Sequence, residues 1–218
     1  MHIPDGFLDP KTYIGTAAAA APVLAYAVHR TRRELKDRQV PLMGVMGAFI
    51  FAAQMINFPI MGGTSGHLIG AVLAAILFGP WAAVLLMTTV LALQCFVFLD
   101  GGVTALGANI LNMAVIAPLV GWGVFRSLRG LGMVPATFVA SWASVLAAAA
   151  AASVELALSG RIGLGLNVIL PAMLFWHVFI GLGEGLITGA LVAYLGRAHT
   201  EVLPHAVREP VGEEARAS

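Results

Sequence analysis

Residues 81–99 read WAAVLLMTTVLALQCFVFL, nineteen positions without one charged side chain. About 20 apolar residues in an α-helix cross the ~30 Å hydrocarbon layer of a bilayer. Within that layer a backbone has to satisfy its own polar groups, so the run reads as a membrane helix. The whole chain of 218 residues is of the same kind, with 59% hydrophobic and 11% charged residues and a mean hydropathy of +0.90. No soluble domain is this apolar, and a net charge of +1 with no basic face excludes a nucleic-acid binder. The single cysteine, Cys95, lies inside the run itself. It forms neither a disulfide framework nor a cysteine metal site, and reads as a small buried hydrophobe.

Working outward, six more stretches carry spans, at 12–29, 41–58, 66–79, 104–125, 133–158 and 167–196. The expected fold is therefore an all-α, polytopic membrane protein of about seven transmembrane helices. The third stretch is short and is separated from the 81–99 run only by Gly79-Pro80, so a tight hairpin is the alternative there; a short span is tolerated where protein shields it. Glycine and proline mark the connections FPIMGGTSG, DGG and SGRIGLG. Ten of the twelve Lys and Arg fall on one side of this arrangement: Arg30, Arg32, Arg33, Lys36, Arg38, Arg126, Arg129, Arg197, Arg208 and Arg216. Only Lys11 and Arg161 fall on the other, which predicts the amino terminus outside and the carboxyl terminus in the cytoplasm. Residues 1–198 form one membrane-embedded unit, and 199–218, with charges, prolines and no apolar period, read as a disordered cytoplasmic tail. The start, MHIPDGFLDP, lacks the order of a secretory signal and is expected to be mature sequence. No inverted repeat of the kind found in many secondary transporters is visible.

That topology places MHIPDGFL on the same outer side as NFPIMGGTSGHLIG. A free Met1 amine and the His2 backbone nitrogen form a five-membered chelate, and the His2 amide with its own Nδ1 closes a fused six-membered ring. Three nitrogens then lie in one plane, a set that suits Ni(II) or Cu(II) and leaves a fourth place for an imidazole from elsewhere. His67, beside the glycines of GGTSG, is the candidate, since glycine allows close backbone approach. A large residue at position 2 is expected to preserve Met1, and binding is expected to weaken in acid, because the ligands must be deprotonated. The ordinary alternative is that His2 is a surface residue and His67 a helix-terminus residue.

Four blocks, MHIPDGFL, AAQMINFPIMGGTSGHLIG, DGGVTALGANILNMA and HVFIGLGEGLITGAL, resemble the membrane-embedded substrate-binding (S) component of nickel and cobalt energy-coupling-factor transporters, the NikM/CbiM family. The resemblance runs from residue 1 to about 196. It implies a seven-helix S component that binds its metal through the Met1 amine, the His2 amide nitrogen, the His2 imidazole and the His67 imidazole. It further implies a membrane coupling subunit, two cytoplasmic ATPase subunits and a small accessory membrane subunit as partners. Capture at the outer face, toppling in the bilayer and inward release follow from the same resemblance, as does a place in the bacterial inner membrane. The HIPDGF start resembles the nickel-type members, so Ni2+ is the expected cargo and Co2+ the next; no cofactor is expected.

Other polar residues stand at membrane depth. Gln54, Asn57, Thr64 and Ser65 either hydrogen-bond the metal ligands, fixing the imidazole tautomers, or satisfy the broken backbone of a dipping loop. Asp100, Asn109 and Asn112 raise the same choice. His177 and Glu184, seven apart, share one face of the last span. Since a buried acid is costly in a bilayer, they form either an interhelical clamp or a relay for metal or protons. Gly181, Gly185 and Gly189 are spaced for close helix packing. Ala17, Ala21 and Ala25 make a similar stripe on the first helix, which in S components resembles the surface that docks on the coupling subunit; contact within the chain is the alternative. The run HRTRRELKDR orients the chain and attracts anionic lipid heads.

The chain has no GxxxxGK[ST] phosphate loop, so ATP hydrolysis would reside in partner subunits and the chain itself is expected not to be an enzyme. HExxH and GxSxG are absent as well, which removes zinc proteases and nucleophile-elbow serine hydrolases. The remaining alternative is a stand-alone proton-coupled metal permease using His177 and Glu184.

Overall fold

The computed structural model describes residues 1–60 and 64–198. Met61, Gly62 and Gly63, two of them glycines counted on for close approach, and the tail at 199–218 lie outside the described residues. In chain order the elements are α1 (Pro10–Glu34), α2 (Val40–Met55), β1 (Phe58–Ile60), β2 (Thr64–Gly66), α3 (Ala71–Phe78), α4 (Pro80–Phe98), α5 (Leu106–Asn109), a π-helical segment (Ile110–Ile116), α6 (Ala117–Leu128), α7 (Met133–Ser159) and α8 (Leu166–Ala198). Because α5, the π segment and α6 are continuous, the described residues form seven helical columns close to the seven expected stretches. Four of them, at 80–98, 106–131, 133–159 and 166–198, are long and apolar enough to cross a membrane. α2, with 16 residues, is a shorter apolar helix.

Local chemistry sets the ends. Asp9 caps α1, its carboxylate accepting from Thr12 N at 3.1 Å, with Pro10 at the first helical position, where its missing N–H costs nothing. Gly79, at φ 86 and ψ 160, makes the sharp turn between α3 and α4 in a conformation only glycine adopts readily. The π segment was not expected from the sequence. Pro118 lies just beyond it and offers no N–H to the carbonyl four residues back, and its ring crowds that carbonyl; a widened turn relieves both.

The expected third span, 66–79, is only partly a helix. Gly66 ends β2, residues 67–70 are irregular, and α3 covers eight residues, every one of them buried. It packs against α4, α6 and α7, so its short length is tolerated because protein, not lipid, surrounds it. Ahead of it, β1 and β2 pair antiparallel with Phe58 opposite Gly66, an element the all-α expectation omitted.

The glycines of α8 seat it on α7. A Cβ added at Gly181 would stand 2.9 Å from Trp142 Cδ1, and one at Gly185 would stand 2.8 Å from Phe138 Cδ2. Phe175, Phe179, Leu186 and Ile187 on the same helix are exposed, as suits an outer surface that meets lipid. Ala17, Ala21 and Ala25 are also exposed, whereas α1 turns Thr16, Ala20, Ala27 and Thr31 inward. Ala17 packs closely on Gly107 within the chain.

One end of the bundle collects the pieces of the site. Asp9 N donates to Ser159 Oγ at the end of α7, and Ser159 Oγ donates to Phe7 O. Ile3 O accepts from Gly102 N in the turn between α4 and α5. The hairpin reaches α8, where Thr64 Oγ1 donates to Met173 Sδ at 3.2 Å. By helix length the basic connections after α1 and α6 belong to the opposite end.

Candidate metal-binding site

The amino-terminal strand is threaded into the protein rather than left on its surface. Met1 and Ile3 are fully buried and His2 is 4% exposed. Ile3 is held from both sides, its N–H donating to Asn109 Oδ1 at 2.8 Å while its carbonyl accepts from Asn109 Nδ2 at 3.1 Å and from Gly102 N at 2.9 Å. Asp5 accepts from the backbone N–H groups of Val103 (3.1 Å) and Thr104 (2.8 Å) and from the Thr104 hydroxyl. Hydrogen bonding from Thr104 holds its carboxyl below the usual range. The DGG turn is the wall of this channel. At Gly101 (φ +91) an added Cβ would lie 3.3 Å from His2 Cδ2, and at Gly102 it would lie 2.7 Å from the Pro4 carbonyl carbon. These glycines are there because the terminal strand occupies the space a side chain would need.

The Met1 amine donates to the Ser65 carbonyl and lies 3.2 Å from Ser65 Oγ, and the His2 N–H points to the same hydroxyl at 3.3 Å. Burial drives the amine down to about 4, against the opposing attraction of Asp100. The His2 imidazole is pushed to about 3, chiefly by burial and then by the amino terminus, with the Gln94 hydrogen bond acting the other way. Both groups are uncharged at neutral pH. The 3.4 Å approach of Asp100 Oδ1 to His2 Nδ1 is therefore a contact between a carboxylate and a neutral ring, not an ion pair. Partial burial raises the Asp100 carboxyl, and the amino terminus opposes this.

The two rings near the terminus have defined tautomers. His2 Nε2 lies 3.2 Å from Gln94 Oε1, an acceptor, so Nε2 carries the hydrogen and Nδ1 the lone pair. His67 Nδ1 lies 2.7 Å from the Leu68 carbonyl, so its hydrogen is on Nδ1 and its lone pair on Nε2. Both lone-pair nitrogens, His2 Nδ1 and His67 Nε2, are buried without a hydrogen-bond partner. The rings face each other with centroids 4.6 Å apart and planes 23° from parallel.

Of the other candidates, Ser65 touches the terminal nitrogens directly. Gln54 acts one step away, its Nε2 donating to Ile69 O at 2.7 Å. Asn57 donates to Asp100 Oδ2 at 3.2 Å, and Thr64 reaches Met173. His177 and Glu184 share a face of α8 but bond separately. His177 Nδ1 donates to Met173 O at 2.7 Å, leaving a buried, unpartnered Nε2. Both Glu184 oxygens accept backbone N–H groups, from Ile69 at 2.6 Å and Gly70 at 3.0 Å. Three residues were missed or left unassigned. Gln94 orients His2, Asn109 grips Ile3, and Glu155, buried in α7, accepts from Asn112 Nδ2 of the π segment at 2.6 Å. Their only signal in the sequence was polarity inside an apolar run.

Comparison with known proteins places the chain in a family. Residues 2–202 match the family described as the cobalt uptake substrate-specific transmembrane region, CbiM. A putative fused nickel transport protein NikMN of Archaeoglobus fulgidus is 44% identical over 93% of this chain and 68% of its own length. The fused nickel transport protein NikMN of Rhodobacter capsulatus is 39% identical over 93% of this chain and 64% of its length; the chain thus spans about two thirds of these fused relatives. A crystal structure of a truncated transition metal transporter superposes with a TM-score of 0.86 at 41% identity, covering 89% of this chain and 98% of that one. Matched from residue 2 to residue 202 and carrying the same helical columns, the chain belongs to the CbiM family of cobalt uptake substrate-specific transmembrane proteins, multi-pass membrane proteins of nickel and cobalt transport.

Proposed function

We propose that the chain captures a divalent transition-metal ion, Ni2+ before Co2+, as the substrate-binding subunit of an ATP-driven importer. The Met1 amine, the His2 amide nitrogen, His2 Nδ1 and His67 Nε2 are its ligands. The observation that carries this reading is the pair of buried imidazole lone pairs with no partner, held beside a buried, uncharged amine. An orphaned buried acceptor is expensive unless something binds it. Two imidazoles in neighbouring places around one ion, at metal–nitrogen bonds of ~2.0 Å, put their centroids roughly 4.4 Å apart, near the 4.6 Å found. Four nitrogens in a plane suit Ni(II) or Cu(II) better than Co(II), and the HIPDGF start resembles the nickel-type members.

The site end of the bundle faces outward in this reading, with the basic connections in the cytoplasm of a bacterial inner membrane. The exposed Ala17, Ala21 and Ala25 supply a flat face for the membrane coupling subunit, while two ATPase subunits and a small accessory membrane subunit complete the importer. The rival proton-coupled permease would use His177 and Glu184, but both Glu184 oxygens are committed to backbone donors. Uptake of nickel by membranes containing the full set of subunits decides between them. Dependence on ATP supports the importer, and loss only on collapse of the proton gradient would favour the permease.

Two outcomes are expected at the site. In Gly102→Ala no ligand atom changes, yet the new methyl displaces Pro4 and Asp5, and with them the chelate. Nickel affinity is expected to fall about 10- to 100-fold, as when an outer hydrogen-bond partner of a metal ligand is lost, with helicity unchanged by circular dichroism. The pH dependence is the second. The undocked amine, near its ordinary 8.0, keeps a proton that the docked amine, at about 4, has lost. Docking of the terminus therefore strengthens as pH rises through 4 to 8 and weakens as it falls through that window. Nickel binding to the docked terminus then releases only the amide proton, so affinity changes about tenfold per pH unit above pH 5 and more steeply near 4. Calorimetry in buffers of different ionisation enthalpy counts that proton, and a count of two or more at pH 7 would contradict the buried neutral amine.

A further inference from the structure

His67 is positioned by the residues on its carboxyl-terminal side. Its own ring makes one hydrogen bond, to the carbonyl of its neighbour Leu68. The next two residues, by contrast, are tied to two different helices. Ile69 N and Gly70 N both donate to the Glu184 carboxylate of α8, at 2.6 and 3.0 Å, and Ile69 O accepts from Gln54 Nε2 of α2 at 2.7 Å. Gly70 is the first-turn boundary of α3 and has no side chain to cap it. Glu184 thus satisfies, from another helix, N–H groups that a helix start leaves orphaned. Gly70 turns there at φ +79, and a Cβ in its place would lie 2.9 Å from Ile50 Cγ1 of α2. Glu184 is 2% exposed and Gln54 and Ile69 are fully buried. A carboxylate in a membrane span is costly, so one spent wholly on two peptide N–H groups fixes that peptide firmly.

The clamp also stands at a boundary. The hairpin and loop run along α8, with Thr64 against Met173, Gly66 against Ile180, and Ile69 and Gly70 against Glu184. A cavity of about 30 Å3 borders the carboxylate, lined also by Ile69, Leu73, Ile187, Thr188 and Leu191. The α8 members of that lining lie further from the amino-terminal strand than the α8 residues that touch the hairpin. Leu68, Ile69 and Gly70, the residues that follow His67, share the lining of that space with Glu184.

We propose that Glu184 is a positioning residue for His67, and that the two backbone hydrogen bonds it accepts set the rate at which the metal leaves. This rests on His67 being a ligand. It makes the rate of metal release a property of the packing of α8 and α2 against one loop, which gives helix movement a direct hold on the site.

The test uses the purified full-length protein loaded with nickel sulfate, with excess EDTA to draw the metal off. Glu184→Gln keeps one acceptor and sets an amide NH2 against the other N–H, and nickel dissociation is expected to quicken about tenfold; Glu184→Ala loses both acceptors, for about a hundredfold. The visible absorption band of the bound nickel is expected to stay as in the parent, since all four nitrogens remain. Gln54→Met works on the same loop from the other side, and a few-fold faster release is expected. Release at the parent rate from folded Glu184 variants, or a loss of thermal stability with unchanged release, would overturn the proposal. If the Glu184 variants do not fold, Gln54→Met decides alone, and a parental rate there would overturn it. His67→Ala separates the two readings: if it binds nickel with the parental band and affinity, the ligand assignment has failed rather than the clamp.

Discussion

Acetylating the amino terminus, or extending it by several residues, is expected to cost on the order of 10²- to 10⁴-fold in nickel affinity, the range lost when linked binding groups no longer act together. Acetylation turns the Met1 amine into an amide with no basic lone pair and removes the five-membered ring. Extension keeps an amine but moves it out of chelate register with the His2 amide and Nδ1. Either change also brings extra atoms to a nitrogen that is wholly buried and already donates to the Ser65 carbonyl. The measurement is a competition titration of Ni(II) against a chelator on protein whose terminus has been checked by mass spectrometry. Unchanged affinity in the blocked form would end the chelate hypothesis. Restoring the free terminus by proteolytic removal of the added residues is expected to restore binding.

His67→Ala is expected to have the second largest effect, above the 10- to 100-fold that accompanies loss of an outer hydrogen-bond partner. It removes one of four donors while leaving the three-nitrogen chelate of residues 1 and 2 in place. Residual binding by that chelate is expected, with the fourth position taken by water and the absorption band of bound Ni(II) moved to lower energy, because oxygen replaces nitrogen in the plane. His2→Ala opens the fused six-membered ring but keeps His67, and is expected to lose affinity to a comparable degree. A His67→Ala protein with the parental band would require a different fourth ligand, and His177, with its unpartnered Nε2, is the next residue to substitute. Titrating Co(II) and Cu(II) on the same variants tests the metal assignment separately. If Co(II) displaces Ni(II) from the parent protein, the nickel preference is wrong while the ligand set stands.

The columns were legible because a bilayer imposes one rule on every span, and a charge-free run such as 81–99 has no other stable use. The π segment was not, since Pro118 near the start of an apolar helix is compatible with a kink, a break or a widened turn, and the neighbours decide among them. The hairpin was hidden for a similar reason. Phe58–Ile60 and Thr64–Gly66 are too short to show an alternating pattern, and their pairing depends on Gly66 fitting beneath the Phe58 ring and Ile180. At the candidate site, Met1, His2 and His67 could be proposed from their chemistry and the family resemblance, whereas Gln94, Asn109 and Glu155 were single polar residues in apolar surroundings. A polar residue in a span announces that it has a partner without saying which. Glu184 illustrates the limit: its sequence neighbour in kind is His177, one face and seven residues away, but its partners are the peptide N–H groups of Ile69 and Gly70, on another element altogether.

By itself the sequence settled that this is a helical membrane protein without a phosphate loop, and that its first two residues can chelate a metal if the amine is free. Those are properties of composition and of atoms adjacent along the chain, and they need no fold. Tertiary structure alone decided that the terminus is buried against Ser65, that His2 and His67 adopt complementary tautomers under Gln94 and Leu68, and that Glu184 and Gln54 hold the loop between them. Nearly all of these contacts join residues far apart in the chain, and the energy that selects them comes from burying polar groups that only a particular neighbour can satisfy.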